Sequence, residues 1–219
     1  MVVSKGNQSA TTRQLLLETA ERLFALHGIA AVSNRQISRA AGQGNNYAVG
    51  HHFGDKVGLI RAILESHNSR IDEIRARVLA EIGYIAGVRE WIDCLIRPEI
   101  EHLAALDGPS YYARFCAHLA ADPEIGYLLY DSVAVSQSLT EVLTGFYRVL
   151  PAMPKPVMDT RLTMSQHMVI HAMADVERTM DGPGAAQSVA AHSWSQHCDM
   201  IVDATVGLWL APNTSRDVR

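Results

Sequence analysis

The residue types best equipped for chemistry crowd into one stretch, RQISRAAGQGNNYAVGHHFGDK, residues 35–56. His51 and His52 suggest a metal at first sight, but adjacent helical residues point about 100° apart. Two such imidazoles cannot face one ion, and no metal is assigned to them. Asn45 and Asn46 offer something more specific. A carboxamide presents one donor and one acceptor in a plane, the match for the N6 and N7 edge of adenine in a major groove. Tyr47 beside them can touch a base or a phosphate. Ser33 and Arg35 stand at the start of a helical pattern, where backbone N–H groups favour anions, and Lys56 follows the stretch with a further cation. Together they suit a surface that positions itself on phosphates and reads bases.

Elements to hold such a surface are readable around it. Residues 11–27, TTRQLLLETAERLFALH, repeat apolar positions at helical spacing, with Leu16, Ala20, Leu23, Phe24 and His27 on one face. Gly28 then stops the helix. Ser33 and Gln36 form a capping box, with the hydroxyl on the amide three residues ahead and the carboxamide reaching back. This starts a helix near residue 34 that turns Ile37 and Ala41 inward and ends at Gly42. A third helix is expected from about Asn45 to His52, with Gln43 and Gly44 in the turn before it. Asp55 then caps a long fourth helix through about Leu79. Two short helices joined by a glycine turn on a supporting first helix make a helix-turn-helix, whose second helix fits a major groove.

The remaining chain repeats the helical period between proline and glycine breaks, with spans expected at 87–105, 109–121, 123–149, 156–180 and 184–210. The fold class is all-α: an N-terminal three-helix helix-turn-helix domain over 10–57 and a second helical domain over 58–212. Net charge is −4 over 219 residues. Its distribution is uneven: residues 1–61 hold seven Lys or Arg against three acidic residues, and the remainder holds 12 against 20. A basic head on an acidic body suits a module that meets phosphate. Cys94, Cys116 and Cys198 form no CxxC pair, which argues against a zinc ribbon or a disulfide framework and fits a reducing cytoplasm. MVVSKGNQSATTR lacks the apolar segment of a signal peptide, and the apolar runs are too short and interrupted to span a membrane.

Residues 13–61 resemble the N-terminal domain of the TetR family of bacterial transcriptional regulators. The resemblance rests on Leu23-Phe24 with Gly28, on Ile37-Ser38 with Ala41-Gly42, and on His51-His52-Phe53 with Lys56 and Leu59. It implies a homodimeric repressor that binds a palindromic double-stranded operator and is released by a small-molecule effector, with no cofactor and no catalytic residues. It also implies that His52 and the residue before it, His51, contact the DNA backbone. Three positions depart from the family pattern. Gly50 stands where tyrosine is usual, His51 where Tyr or Phe is usual, and Gly44 where a basic or hydroxyl residue is common.

In the body, Tyr111, Tyr112, Arg114, Phe115 and His118 share one short helix and could wall an effector pocket, or simply pack. Met164, Met168 and His171 are placed similarly on a later helix. His167 and His171, four apart, would suit a metal-sensing regulator, but no third ligand accompanies them. The last helix carries Ala190, Trp194, Ile201 and Leu208 on an apolar stripe, expected with His167 to meet a second subunit. A small helical enzyme is the remaining alternative, and no nucleophile–base spacing favours it.

Overall fold

The computed structural model describes residues 5–82, 86–106, 109–131, 136–181 and 194–214. These residues form helices and no strand: α1 (Lys5–His27), α2 (Asn34–Ala40), α3 (Ala48–Phe53), α4 (Lys56–Glu81), α5 (Val88–Ala104), α6 (Tyr112–Ala120), α7 (Tyr127–Asp131), α8 (Gln137–Val149), α9 (Lys155–Asp181) and α10 (Trp194–Leu210). Packing divides them into two compact units. One holds residues 1–68 and 111–132, the other 69–110 and 133–219. The covalent path of α4 runs through both.

The first unit is built on α1. Leu16, Ala20 and Phe24 of α1, Ile37 of α2, Val49 of α3, and Leu59, Ile60 and Ile63 of α4 are fully buried. At the α1 terminus Gly28 adopts φ 81°, and Gly42 after α2 adopts φ 67°, backbone that costs an L side chain about 1 kcal/mol or more. The box is formed as expected: the Gln36 amide donates to Ser33 Oγ at 3.3 Å, and the Ser33 amide donates to Gln36 Oε1 at 2.8 Å. Asp55 starts α4 by accepting from the Gly58 amide at 2.7 Å. Helix α6, more than 80 residues after α1, completes this core with fully buried Phe115 and Leu119.

The second unit packs α10 against α5 and α9, and α8 against α5. Arg97 of α5 holds Asp93 on its own helix at 2.6 Å and Asp199 of α10 at 3.3 Å. From α9, Arg161 donates to the carbonyls of Trp209 and Ala211, satisfying acceptors that the end of α10 leaves open. Asp72 in α4 accepts from the hydroxyls of Ser136 and Ser138 at the start of α8.

Two of the expected spans differ in the structure. Residues 123–149 form two helices, because the Asp122 carboxylate accepts the amides of Glu124 and Ile125 in a tight turn and Ser136 caps a fresh helix through the Leu139 amide. The α6 helix begins only at Tyr112; of the expected span 184–210, residues 184–193 lie outside the described residues, and α10 is described from Trp194 to Leu210. Gly145 of α8 permits the α5 contact: a Cβ there would lie 2.3 Å from Cζ2 of Trp91, a ring only 8 % exposed. Gly145→Ala should therefore destabilise the second unit by about 1–3 kcal/mol, because overpacking exceeds the roughly 1 kcal/mol of helix propensity gained. Denaturant unfolding checks this; an unchanged or raised midpoint contradicts the Trp91 placement.

Candidate nucleic-acid interface

The third helix starts later than its sequence suggests. Asn45 is not its first residue: Asn45 Oδ1 accepts the Tyr47 amide at 2.9 Å, an Asx turn that offers the backbone an alternative to helix. The Asn45 carbonyl takes the Ala48 amide at 3.1 Å, and the helix proper begins at Ala48, with Tyr47 at its N-cap. Asn45, Asn46 and Tyr47 thus stand in the approach to α3 and not on its body. All three are exposed, Tyr47 by 82 %. The same hydrogen bond separates the two asparagines chemically. Asn45 has its acceptor engaged by its own backbone, whereas Asn46 has no side-chain partner among the described residues and keeps both halves of its carboxamide available.

The turn before them is held from inside. The Gln43 amide donates to the Ser38 carbonyl at 3.0 Å, and the Gln43 side chain donates to the Ala41 carbonyl at 3.1 Å. Buried Ala48 and Val49 anchor α3, leaving Gly50 and His51 exposed. A Cβ at Gly44 or Gly50 would meet nothing within 4 Å, so these glycines leave open ground on the outer surface. Arg35 and Arg39 are exposed on α2. Lys56, at the start of α4, donates through Nζ to the Ile29 carbonyl at 3.0 Å. It ties α4 to the turn after α1 with one N–H and keeps two more donors. On the far side of α2, Leu23 and His27 line an open groove of about 590 Å³ with Val32 and Arg39; neither is part of the buried face of α1.

Sequence reasoning missed Arg13. Its guanidinium lies 5.0 Å from the centroid of the Phe53 ring, and His52 packs between that ring and His51, at 6.1 and 5.2 Å between centroids. Burial, then the imidazole of His51, then the guanidinium of Arg13 hold the His52 pKa below its usual 6.5. Helical spacing could not reveal this group, because it forms only where α1 crosses the end of α3.

The body residues are placed as follows. Tyr112 is 5 % exposed and stacks on His67 of α4 at 3.8 Å and 12°, with its hydroxyl 3.3 Å from Asn68 Oδ1. His67 Nε2 lies 2.8 Å from Glu21 of α1. Phe115 stacks on Phe24 at 6.1 Å. These two aromatics pack within the first unit, against α1 and α4. Arg114 is buried, 4.9 Å from the Tyr111 ring, and His118 is exposed beside Gly28. On α9, Met164, His167 and His171 are exposed and Met168 is half-buried. The α10 stripe divides. Ile201 is 7 % exposed and lies with Cys198, Thr205 and Trp209 in the core of its own unit, so it is not available to a second subunit. Trp194 and Leu208 are half-buried, and Ala190 lies outside the described residues. Met200 and Leu210 are the large apolar residues α10 leaves outward, at 48 % and 49 % exposure. Among the described residues no group of three His, Cys, Asp or Glu side chains could hold a metal. Burial pushes the thiols of Cys94 and Cys198 up to about 11, leaving them protonated and unreactive at neutral pH. No helix is long and apolar enough to cross a membrane among the described residues.

Comparison with known proteins agrees with this arrangement. A family model described as bacterial regulatory proteins, tetR family, matches residues 16–63, and one described as tetracyclin repressor-like, C-terminal domain, matches residues 93–207. The HTH-type transcriptional repressor AcnR of Corynebacterium glutamicum is 30 % identical over 152 residues, covering 65 % of this chain and 77 % of that protein. AcnR of Corynebacterium efficiens is 31 % identical over 127 residues, covering 54 % of this chain and 63 % of its own length. Among solved structures, a transcription regulator of Shewanella sp. PV-4 described as tetR family superposes with a TM-score of 0.57 at 16 % identity, over 90 % of this chain and 96 % of that one, a likeness of fold.

The His52 environment has a measurable consequence. Because its folded pKa is lowered, the unfolded chain binds the proton more readily. Stability from this site is fully present above pH 6.5 and is lost as pH falls through the lower folded value. Titration of the imidazole carbon-bound protons by NMR should give a midpoint below 6.5 for His52, and Arg13→Gln should raise it. A wild-type midpoint at or above 6.5 contradicts the clustering of Arg13, His51 and His52.

Proposed function

The chain belongs to the TetR family of bacterial regulatory proteins, and from that premise we propose how its residues perform the work of a ligand-responsive DNA-binding repressor. The observation that carries the reading is the exposed turn ahead of α3. Asn46 and Tyr47 are exposed in it, and the reading takes Ser33, Arg35, His51, His52 and Lys56 as its phosphate contacts. In this reading α3 lies in the major groove with the turn foremost. Asn46 pairs with an adenine edge, and Tyr47 reaches a base or the adjoining backbone. Asn45 shapes the turn, and the cations grip phosphates on either side. His52 takes up a proton as phosphates approach, since their negative charge favours the imidazolium. Operator affinity therefore rises as pH falls through the titration of His52.

One such head makes few contacts, and two-fold pairing on a palindrome doubles them. The reading accordingly includes a homodimer. The outward faces of α9 and α10, with Met164, His167, Met200, Ala204 and Leu210, are the proposed interface; their exposed methionines form the kind of apolar surface that pairing covers. A small-molecule effector of the body shifts the population of conformers toward one whose heads no longer match both half-sites. The reading places the protein in the cytoplasm. It is tested by selecting a duplex from random-sequence DNA with the purified chain and then screening small molecules for release of that duplex. Recovery of no preferred sequence counts against it.

Two variants sharpen the test. Asn46→Ala should cost about 1–3 kcal/mol at one base-pair position and leave non-specific binding nearly unchanged. Asn45→Ala should instead loosen the turn and weaken binding to all sequences. If Asn46→Ala selects the wild-type sequence with wild-type stringency, Asn46 does not read bases. For assembly, Met200→Asp should yield monomers by sedimentation at micromolar concentration. It should leave the head folded but reduce affinity for the full palindrome, because one half-site is then held at a time. A wild-type monomer that holds the full palindrome tightly would end the dimeric reading.

A further inference from the structure

The arginines of the second unit are largely neutralised. Arg70, Arg75, Arg77, Arg89, Arg97 and Arg178 each pair with a carboxylate. Arg13 behaves differently. It is exposed on the first turns of α1, and among the described residues no carboxylate lies within ion-pair distance of it. Nor does one lie within that distance of His51 or His52. Its guanidinium carbon nevertheless sits over the Phe53 ring, 5.0 Å from the centroid. A guanidinium over an aromatic ring is held by the cation–π attraction and still has N–H donors to spare, in the fork that matches the oxygens of a phosphodiester. Phe53 is the last residue of α3, so this fork stands at the end of the helix whose approach carries Asn46 and Tyr47. Three cationic or protonatable groups from two helices thus meet at one edge with no counter-charge of their own.

We propose that Arg13 touches the DNA sugar-phosphate backbone directly, from α1, with Phe53 as the platform that orients it and His51 and His52 beside it on the same strand. The inference rests on the DNA-binding reading and adds to it a residue outside the helix-turn-helix. Its chemistry is that of a charge-assisted, sequence-independent hydrogen bond. The placement of the guanidinium is set in advance, since the Phe53 contact exists without DNA and limits the rotamer freedom that would otherwise be given up on binding.

Arg13→Gln removes the charge and keeps a planar amide of similar reach; Arg13→Lys keeps the charge and loses the plane. Binding is measured as a function of salt with two probes, the duplex selected by the wild-type chain and a mixed-sequence duplex of natural DNA. The slope of log affinity against log salt falls by about 0.9 for each phosphate that the protein no longer neutralises. Arg13→Gln is expected to flatten the slope by about one on both probes and weaken both alike, with an unchanged thermal midpoint. Arg13→Lys is expected to keep the wild-type slope. Wild-type slope and affinity for Arg13→Gln would overturn the proposal. So would a weakened affinity with the wild-type slope retained, which would make Arg13 only a clamp on Phe53. Failure of the wild-type chain to bind either duplex in a salt-dependent way would instead overturn the DNA-binding reading itself.

Discussion

The contact on which the first unit depends is the stack of Phe115 on Phe24. Both rings are fully buried, and each is worth about 1.5–3 kcal/mol of apolar burial. Phe24 belongs to the helix that supports the helix-turn-helix, and Phe115 arrives from α6. The DNA-facing unit is therefore not closed by its own contiguous sequence. One turn earlier in α6, Tyr112 lies flat on His67, and His67 reaches Glu21, so α1, α4 and α6 are joined by an aromatic and polar seam as well as by packing. A core so dense has few intermediate arrangements. Any displacement of α6 that separates the rings must be taken up by α1, on which α2 and α3 rest.

That surface is governed by competition for hydrogen bonds. The segment 45–47 could have extended α3 backward, and the pattern of residues encouraged that expectation. Asn45 prevents it, because its carboxamide satisfies the Tyr47 amide at 2.9 Å more locally than a helical turn would. Gly42 at φ 67° permits the reversal. The result is a short α3 preceded by a polar turn. Asn46 and Tyr47 sit in a segment braced at both ends, by Gln43 on one side and by Ala48 and Val49 on the other. A braced turn gives up little freedom on binding, which offsets the small number of contacts a single head can make.

Much of this architecture was visible in the residues themselves. Capping signals are local, so Ser33-Gln36 and Asp55 marked the starts of α2 and α4 correctly, and the glycines after α1 and α2 marked their ends. The resemblance of residues 13–61 to TetR heads carried the family, and the family models matching residues 16–63 and 93–207 agree with it. What the residues hid depends on crossings between elements distant in sequence. Tyr112 and Phe115 read equally well as pocket wall or core, and nothing in their spacing pointed to α1 as their partner. Ile201 sat on a stripe long enough to call for a second subunit, yet α10 is apolar on more than one face, and α5 and α9 cover the Ile201 side. Arg13 was only one charge among seven in residues 1–61 until the crossing of α1 and α3 brought Phe53 beneath it.

The charge pattern takes its physical meaning from these placements. A chain of net charge −4 is repelled by DNA as a whole. At physiological salt, however, exposed charges more than about 8 Å away are largely screened, so only the groups beside the duplex matter. There the local balance is one-sided. Arg13, Arg35 and Arg39 carry no carboxylate partner among the described residues, and the nearby Asp55 has its Oδ1 on the Gly58 amide at 2.7 Å, fixed as a helix cap. The second unit does the opposite, pairing its arginines internally. Excess acidity away from the duplex then discourages any surface other than the head from settling on DNA. A head of modest charge offers a weak sequence-independent attraction, which leaves a larger share of any discrimination to base contacts.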